Sequence, residues 1–235
     1  MINNKTIDEL FAVGAHYGFV KSRRHPSAKP FIFGQKGGIE IFNLEKTSLE
    51  LGRALDFVEE KGRENALMLI VGGKAPAREA VKKTGEELSM PFVSGRWIGG
   101  TLTNFSEIKK RLARLEELST MREKGELTKY TKKERLLIDR EIEKLQRYFG
   151  GITGLKSMPK LLFIIDPKKE HIALSEARKM NIPVVALSGS DNNLQEITCA
   201  IPANDSSKQT IEFILKKVVE AYNKGKRSND NSATN

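Results

Sequence analysis

The sequence predicts an α/β fold: a parallel sheet covered by helices on both faces, with a helical hairpin inserted into it. Three observations carry this. Continuous apolar runs ending in glycine or aspartate, ALMLIVGG at 66–73, LLFIIDP at 161–167 and IPVVALSGS at 182–190, have the composition of strands buried on both faces. Helical periods alternate with these runs, as they do where crossover helices connect parallel strands. Residues 105–149 break the alternation, carrying two helical stretches and no strand signal.

In chain order, TIDELFAVGAHYGF reads as a helix capped by Thr6 with an acidic first turn, broken at Gly14 and Gly18. KSRRHPSAKP follows, with Lys21, Arg23, Arg24 and Lys29 and no acid. Its two prolines and its lack of a hydrophobic period predict an exposed, extended linker. FIFGQKGGIEIF sets two β-rich runs around Gly34, Gly37 and Gly38, which predicts a hairpin. Residues 44–60 form an amphipathic helix with Leu44, Leu51, Leu55 and Val58 near one face. A helix over 75–88 and a short strand at 91–93 follow the first buried strand. EHIALSEARKM is the helix between the next two strands, CAIPAND is a last short strand, and residues 207–222 are a last helix.

In the inserted segment, Ile108, Leu112 and Leu115 are spaced four and three, and Ile138, Ile142, Leu145 and Phe149 are spaced four, three and four. This is heptad spacing, and the polar EKGELTKYT between the stretches is a turn, so a protruding antiparallel hairpin is expected. Glu107 with Arg111, and Glu143 with Arg147, are placed to support their own helices. The domain reading is an α/β globular unit at 1–104 and 150–224, the hairpin at 105–149, and a polar, disordered tail at 225–235.

Length and composition suit one large α/β domain, or one domain plus an appendage: 235 residues, 39% hydrophobic and 30% charged. Lys and Arg number 40 against 30 Asp and Glu, a formal charge of +10. Such an excess favours polyanionic partners, because these side chains neutralise phosphates and release condensed counterions. The single cysteine, Cys199, excludes an internal disulfide and a Cys-rich metal site, and its apolar setting suits an inert thiol. There is no secretory signal and no apolar stretch long enough to span a bilayer, so a soluble cytoplasmic protein is expected.

Catalytic chemistry is hard to find. VGGKAPAR resembles a phosphate loop, but the P-loop needs GxxxxGK followed by Ser or Thr, and Ala75 stands there. Asp166 follows a strand as a nucleophile or metal ligand would, yet Pro167 and Lys168 come next, and helix capping is the simpler role. His16, His25 and His171 form no clustered ligand spacing. A doubly wound enzyme holding a phosphorylated small molecule at Gly72 to Lys74 and Ser188 to Asp191 stays open as the alternative reading.

The order of motifs carries a resemblance. GAHYG, the basic linker, KPFIFGQKGGIEIFNLEKT, LIVGGKAPAREA, GRWIGGTLTNF, YFGGI, LLFIIDPKKEHIALSEARKMNIPVVAL and IPAND together resemble the bacterial-type small-subunit ribosomal protein S-two family, over about residues 7–222. The resemblance implies a three-layer parallel sheet (flavodoxin/Rossmann-like) with an inserted antiparallel α-helical coiled-coil hairpin. It implies no enzymatic activity, no cofactor, no small-molecule substrate and no membrane partner. It also implies a place on the solvent side of the small subunit between head and body. There the partners are small-subunit ribosomal RNA, neighbouring proteins and, in many bacteria, the S-one protein. Members commonly carry a second histidine after GAH-aromatic-Gly, where Phe19 stands here, so no metal is assigned. His16 with Asp191 or Asp205 is the remaining arrangement for a metal.

The loop GRWIGGTLTNF at 95–105 is expected to be the socket of the hairpin. Arg96 contacts phosphate or pairs with an acid, and Trp97 packs the hairpin root against the sheet rather than stacking on a base. Gly99 and Gly100 permit a sharp turn, and Thr103 or Asn104 caps the first hairpin helix. The predicted RNA contacts are first Lys21, Arg23, Arg24, His25 and Lys29, whose extended backbone would fan side chains along phosphates. Lys74 and Arg78 come second, with Lys109, Lys110 and Arg111 on the hairpin.

Overall fold

A computed structural model describes residues 4–232 of the protein. The elements run α1 Asn4–Ala12, β1 Tyr17–Val20, β2 Ile32–Lys36, β3 Ile39–Phe42, α2 Leu44–Arg63, β4 Met68–Val71, α3 Arg78–Leu88 and β5 Phe92–Val93. They continue α4 Phe105–Glu123, α5 Lys132–Phe149, β6 Leu161–Ile165, α6 His171–Lys179, β7 Val184–Ser188, β8 Cys199–Pro202 and α7 Lys208–Ser232. Five strands form an all-parallel sheet in the order β5-β4-β6-β7-β8. Counted from its own first strand this is 2-1-3-4-5, the flavodoxin order, whose direction of winding reverses between β4 and β6.

The strands β4, β6 and β7 are buried along their whole length, as their unbroken apolar composition requires. Alternate residues serve opposite faces. Leu69, Val71, Leu162, Ile164, Val184 and Ala186 pack with α6 and with α4 and α5. Met68, Ile70, Leu161, Phe163, Ile165, Val185 and Leu187 pack with α1, α2, α3 and α7. Two helical layers enclosing one sheet make the three layers read from the sequence.

The β2–β3 hairpin turns at Gly37 and Gly38, with φ of 58° and 82°. Two successive left-handed residues match the right-handed twist of a two-residue hairpin, and glycine adopts them without strain. The hairpin gains a third strand that the sequence reading missed, because β1 pairs antiparallel with β3. Gly18, expected as a break, lies inside that strand. Helix α1 begins at Asn4, so Thr6 is not its cap.

The basic stretch corrects a second expectation, because it is not an extended linker. It folds into two 3-10 turns, Lys21–Arg23 and Pro26–Phe31, with His25 capping the second through its ring nitrogen. The tail is corrected too. Composition from Gly225 onward predicts disorder, yet α7 continues to Ser232, and 233–235 lie outside the described residues. At the start of this stretch a Cβ at Gly225 would strike the Glu59 carbonyl and one at Gly62 the Tyr222 carbonyl, so α2 and α7 touch backbone to backbone there.

Between β5 and β6, α4 and α5 pack on one another through Ile108, Leu112, Leu115, Leu118, Ile142, Leu145 and Phe149. The buried stripe keeps the four-three spacing only as far as Leu115. It then shifts to Leu118, while Leu136 and Leu137 near the turn are exposed. Thr131 and Glu134 close a capping box at the start of α5. Glu107 pairs with Lys110 at 2.6 Å rather than with Arg111, and Arg114 bridges the two helices to Glu141 at 3.3 Å.

Candidate nucleic-acid interface

One carboxylate organises residues 97–103. Glu176 lies on the inward face of α6, 6% exposed, beside buried Ala173 and Ala177. Its Oε1 accepts from the Trp97 indole N–H at 3.1 Å and the Gly100 N–H at 2.8 Å. Its Oε2 accepts from the backbone N–H of Leu102 and Thr103 and from the Thr103 hydroxyl. Burial alone would raise the Glu176 pKa, but the bonds from Trp97, Leu102, Gly100 and Thr103 outweigh it and hold the carboxyl below its ordinary range.

Trp97 is therefore buried, in the same cluster as Leu102, Ile108 and Phe149, and is not available for stacking on a base. Gly100 has φ 91°, which requires glycine, whereas Gly99 is neither left-handed nor crowded. The capping expectation is corrected: Asn104 stands at the N-cap of α4 without a side-chain cap bond, and the Thr103 hydroxyl goes to Glu176.

Beyond the carboxyl ends of the strands, the places of Lys74 and of Asp191 are occupied by internal ion pairs. Lys74 Nζ lies 2.9 Å from Asp166 and 2.9 Å from Asp205. Burial would lower the Lys74 pKa, but the two carboxylates overcome that and raise it. Burial and the charge of Asp166 raise the Asp205 pKa, as expected where two acids share one lysine. Asp205 also accepts from the Gly189 N–H and the Ser206 hydroxyl. Asp191 takes Arg23 at 2.9 Å and Lys168 at 3.0 Å. A Cβ at Gly73 would strike the Gly95 carbonyl, so this glycine serves close packing of the backbone rather than a phosphate.

Several of the predicted RNA contacts also make contacts within the protein. Arg23 is held by Asp191 and lies 4.2 Å over the Phe19 ring; Arg24 is held at 2.7 Å by Glu40, which is 2% exposed. The His25 ring is engaged with Ser27 and its backbone N–H donates to the Ser190 carbonyl. Lys74 belongs to the buried trio and Lys110 to Glu107. Lys109 sits 4.8 Å over Phe105. Among the described residues, Lys21, Lys29, Arg78, Arg96 and Arg111 are exposed and form no ion pair. His16 stacks with Phe11 and Tyr17, and burial followed by the charge of Lys36 lowers its pKa. No group of three or more potential ligands gathers for a metal among the described residues.

Sequence reasoning missed Glu176, Glu40 and Lys169. Glu176 had a signal: a carboxylate on the apolar stripe of EHIALSEARK needs donors. Glu40 had none: flanked by Ile39 and Ile41 it reads as the solvent-facing residue of a strand, whereas the structure buries it and exposes Ile39.

The sheet order and the occupied crevice define a basic, flavodoxin-ordered α/β protein whose strand ends carry internal ion pairs. A family model described as ribosomal protein S2 matches residues 10–225. The chain is also 39% identical, over 95% of its length and 88% of the relative's, to the small ribosomal subunit protein uS2 of Geotalea uraniireducens (strain Rf4). The chain belongs to the ribosomal protein S2 family.

Proposed function

We propose that this chain is a structural constituent of the small ribosomal subunit, working in the cytoplasm in contact with ribosomal RNA and neighbouring ribosomal proteins. Membership of the S2 family over residues 10–225 carries the reading. The chemistry of the sheet edge supports it, because Lys74, Asp166 and Asp205 occupy the place where a doubly wound enzyme would hold a phosphorylated substrate.

RNA contact is assigned to the exposed cations Lys21, Lys29, Arg78, Arg96, Lys109 and Arg111, which can neutralise phosphates without reading bases. Arg23, Arg24, His25, Lys74 and Lys110 support that surface from within their internal contacts. Residues 105–149 act as a coiled-coil hairpin standing off the α/β unit of 1–104 and 150–224, a reading supported by the buried stripe of α4 and α5 and by the Glu176-ordered loop before it. Docking of an S-one homologue is the finest partner assignment.

Reconstitution tests the function. Small subunits assembled from purified components without this chain should take it up in one-to-one stoichiometry when it is added back. They should release it as salt rises and phosphate contacts are screened. A chain that fails to enter the particle contradicts the reading.

A further inference from the structure

At the carboxyl ends of β4, β5 and β6 lies a hollow of about 230 Å³, bounded by Gly73, Arg78, Gly95, Arg96, Lys169 and Glu170. It sits beside the point where the winding of the sheet reverses, the usual ligand position of this topology. Its volume is below the roughly 300–1,000 Å³ of small-molecule sites, too little for a nucleotide but enough for one phosphate group.

Two of its cations converge. Arg78 Nε donates to the Gly73 carbonyl at 3.1 Å, and Lys169 Nζ stands 3.5 Å from the same oxygen. Arg96 is exposed on the same rim. Among the described residues none of the three forms an ion pair, while Arg23, Lys74 and Lys168 on this edge are all taken by Asp166, Asp191 and Asp205. The one carboxylate lining the hollow, Glu170, is 5% exposed and accepts from the Gly73 N–H. Three cations beside one buried carboxylate leave an excess of positive charge, and an oxyanion placed among them relieves their repulsion.

We infer that Arg78, Arg96 and Lys169 together grip a single phosphodiester group of the RNA, seated over Gly73. This rests on the RNA-associated role proposed above and adds Lys169 to it. One shared phosphate distinguishes the seat from three separate surface contacts, because the number of phosphates neutralised sets the salt dependence of binding.

The test measures affinity of the full chain for small-subunit ribosomal RNA across salt concentrations. The variants are Arg78→Gln, Arg96→Gln, Lys169→Gln, the triple and Arg96→Lys, with Lys82→Gln as a control. A single seat is expected to give about tenfold weaker binding in each neutral variant. The slope of log K against log salt should be shallower by about one in the triple, where the phosphate is left without a cation, and by less than that in each single variant. Arg96→Lys should keep the wild-type slope.

An unchanged slope in the triple, with wild-type RNA binding intact, overturns the seat and leaves the ribosomal role standing. So does a slope shallower by about three, which means three independent contacts. Failure of the wild-type chain to bind the RNA removes both. Inorganic phosphate and a nucleoside diphosphate form the second arm. Stabilisation of the wild type, but not of the triple, by inorganic phosphate fits a seat for one phosphate group; if the nucleoside diphosphate stabilises it far more strongly than inorganic phosphate does, the hollow holds a small ligand and the RNA seat is overturned. Arg96 makes no hydrogen bond or ion pair with other described residues, so Arg96→Gln keeps the test valid if the triple fails to fold.

Discussion

Glu176 is a single carboxylate with five donor groups turned towards it, and its consequences are those of a buried, satisfied charge. Replacement by Gln keeps the shape but removes the charge and turns an amide N–H₂ towards N–H donors. Glu176→Gln is expected to lower stability by about 2–3 kcal/mol in denaturant unfolding at neutral pH. The sign of the pH dependence follows from the lowered pKa. The stabilisation is complete above the ordinary carboxylate value and is lost as pH falls through the folded one. The gap between wild type and variant should therefore close in acid; a constant gap contradicts the ionised role. Lys74 behaves differently. Lys74→Met strands Asp166 and Asp205 together and should cost about 3–5 kcal/mol. Because the Asp205 pKa is raised, that deficit should shrink as pH falls towards the carboxylate range. RNA affinity per folded molecule should stay near wild type, whereas a loss of affinity without loss of stability would return Lys74 to the RNA surface. Neither residue was legible in these roles. A sequence records the charge of Lys74 but not that its partners lie at 166 and 205, and it records Glu176 on an apolar stripe but not the loop at 97–103 that satisfies it.

Elements were more legible than their ties. Buried strands, the β2–β3 hairpin and the helix pair follow from local periodicity, which the chain states outright. What periodicity leaves out is long-range pairing. β1 forms because β3 is beside it, and the basic stretch at 21–29 coils into 3-10 turns because Glu40, Ser190 and Asp191 hold it. α7 lies against α2 as far as Gly225 because glycines let the two backbones meet. Gly62→Ala should push α2 and α7 apart at the Tyr222 carbonyl and cost about 1–3 kcal/mol in a thermal or denaturant melt. Gly52→Ala, on the same helix with nothing within 4 Å, should be neutral or slightly stabilising through helix propensity. Equal effects at the two positions would contradict the close approach.

For the whole molecule, the charge of +10 is already an excess over every acid, so the ion pairs of the sheet edge decide where the free cations lie, not how large the excess is. Among the described residues, unpaired exposed cations run from the 3-10 turns through α4 and α5 to α7, and those at the strand ends line one hollow. The family match makes the chain a constituent of the small ribosomal subunit, a ribonucleoprotein. Sedimentation of a cell lysate through a sucrose gradient, with detection of this chain in every fraction, tests that most directly. The expected result is co-migration with the small ribosomal subunit at low salt and release on a high-salt wash. A chain that stays at the top of the gradient at low salt, in cells whose small subunits are intact, would contradict it.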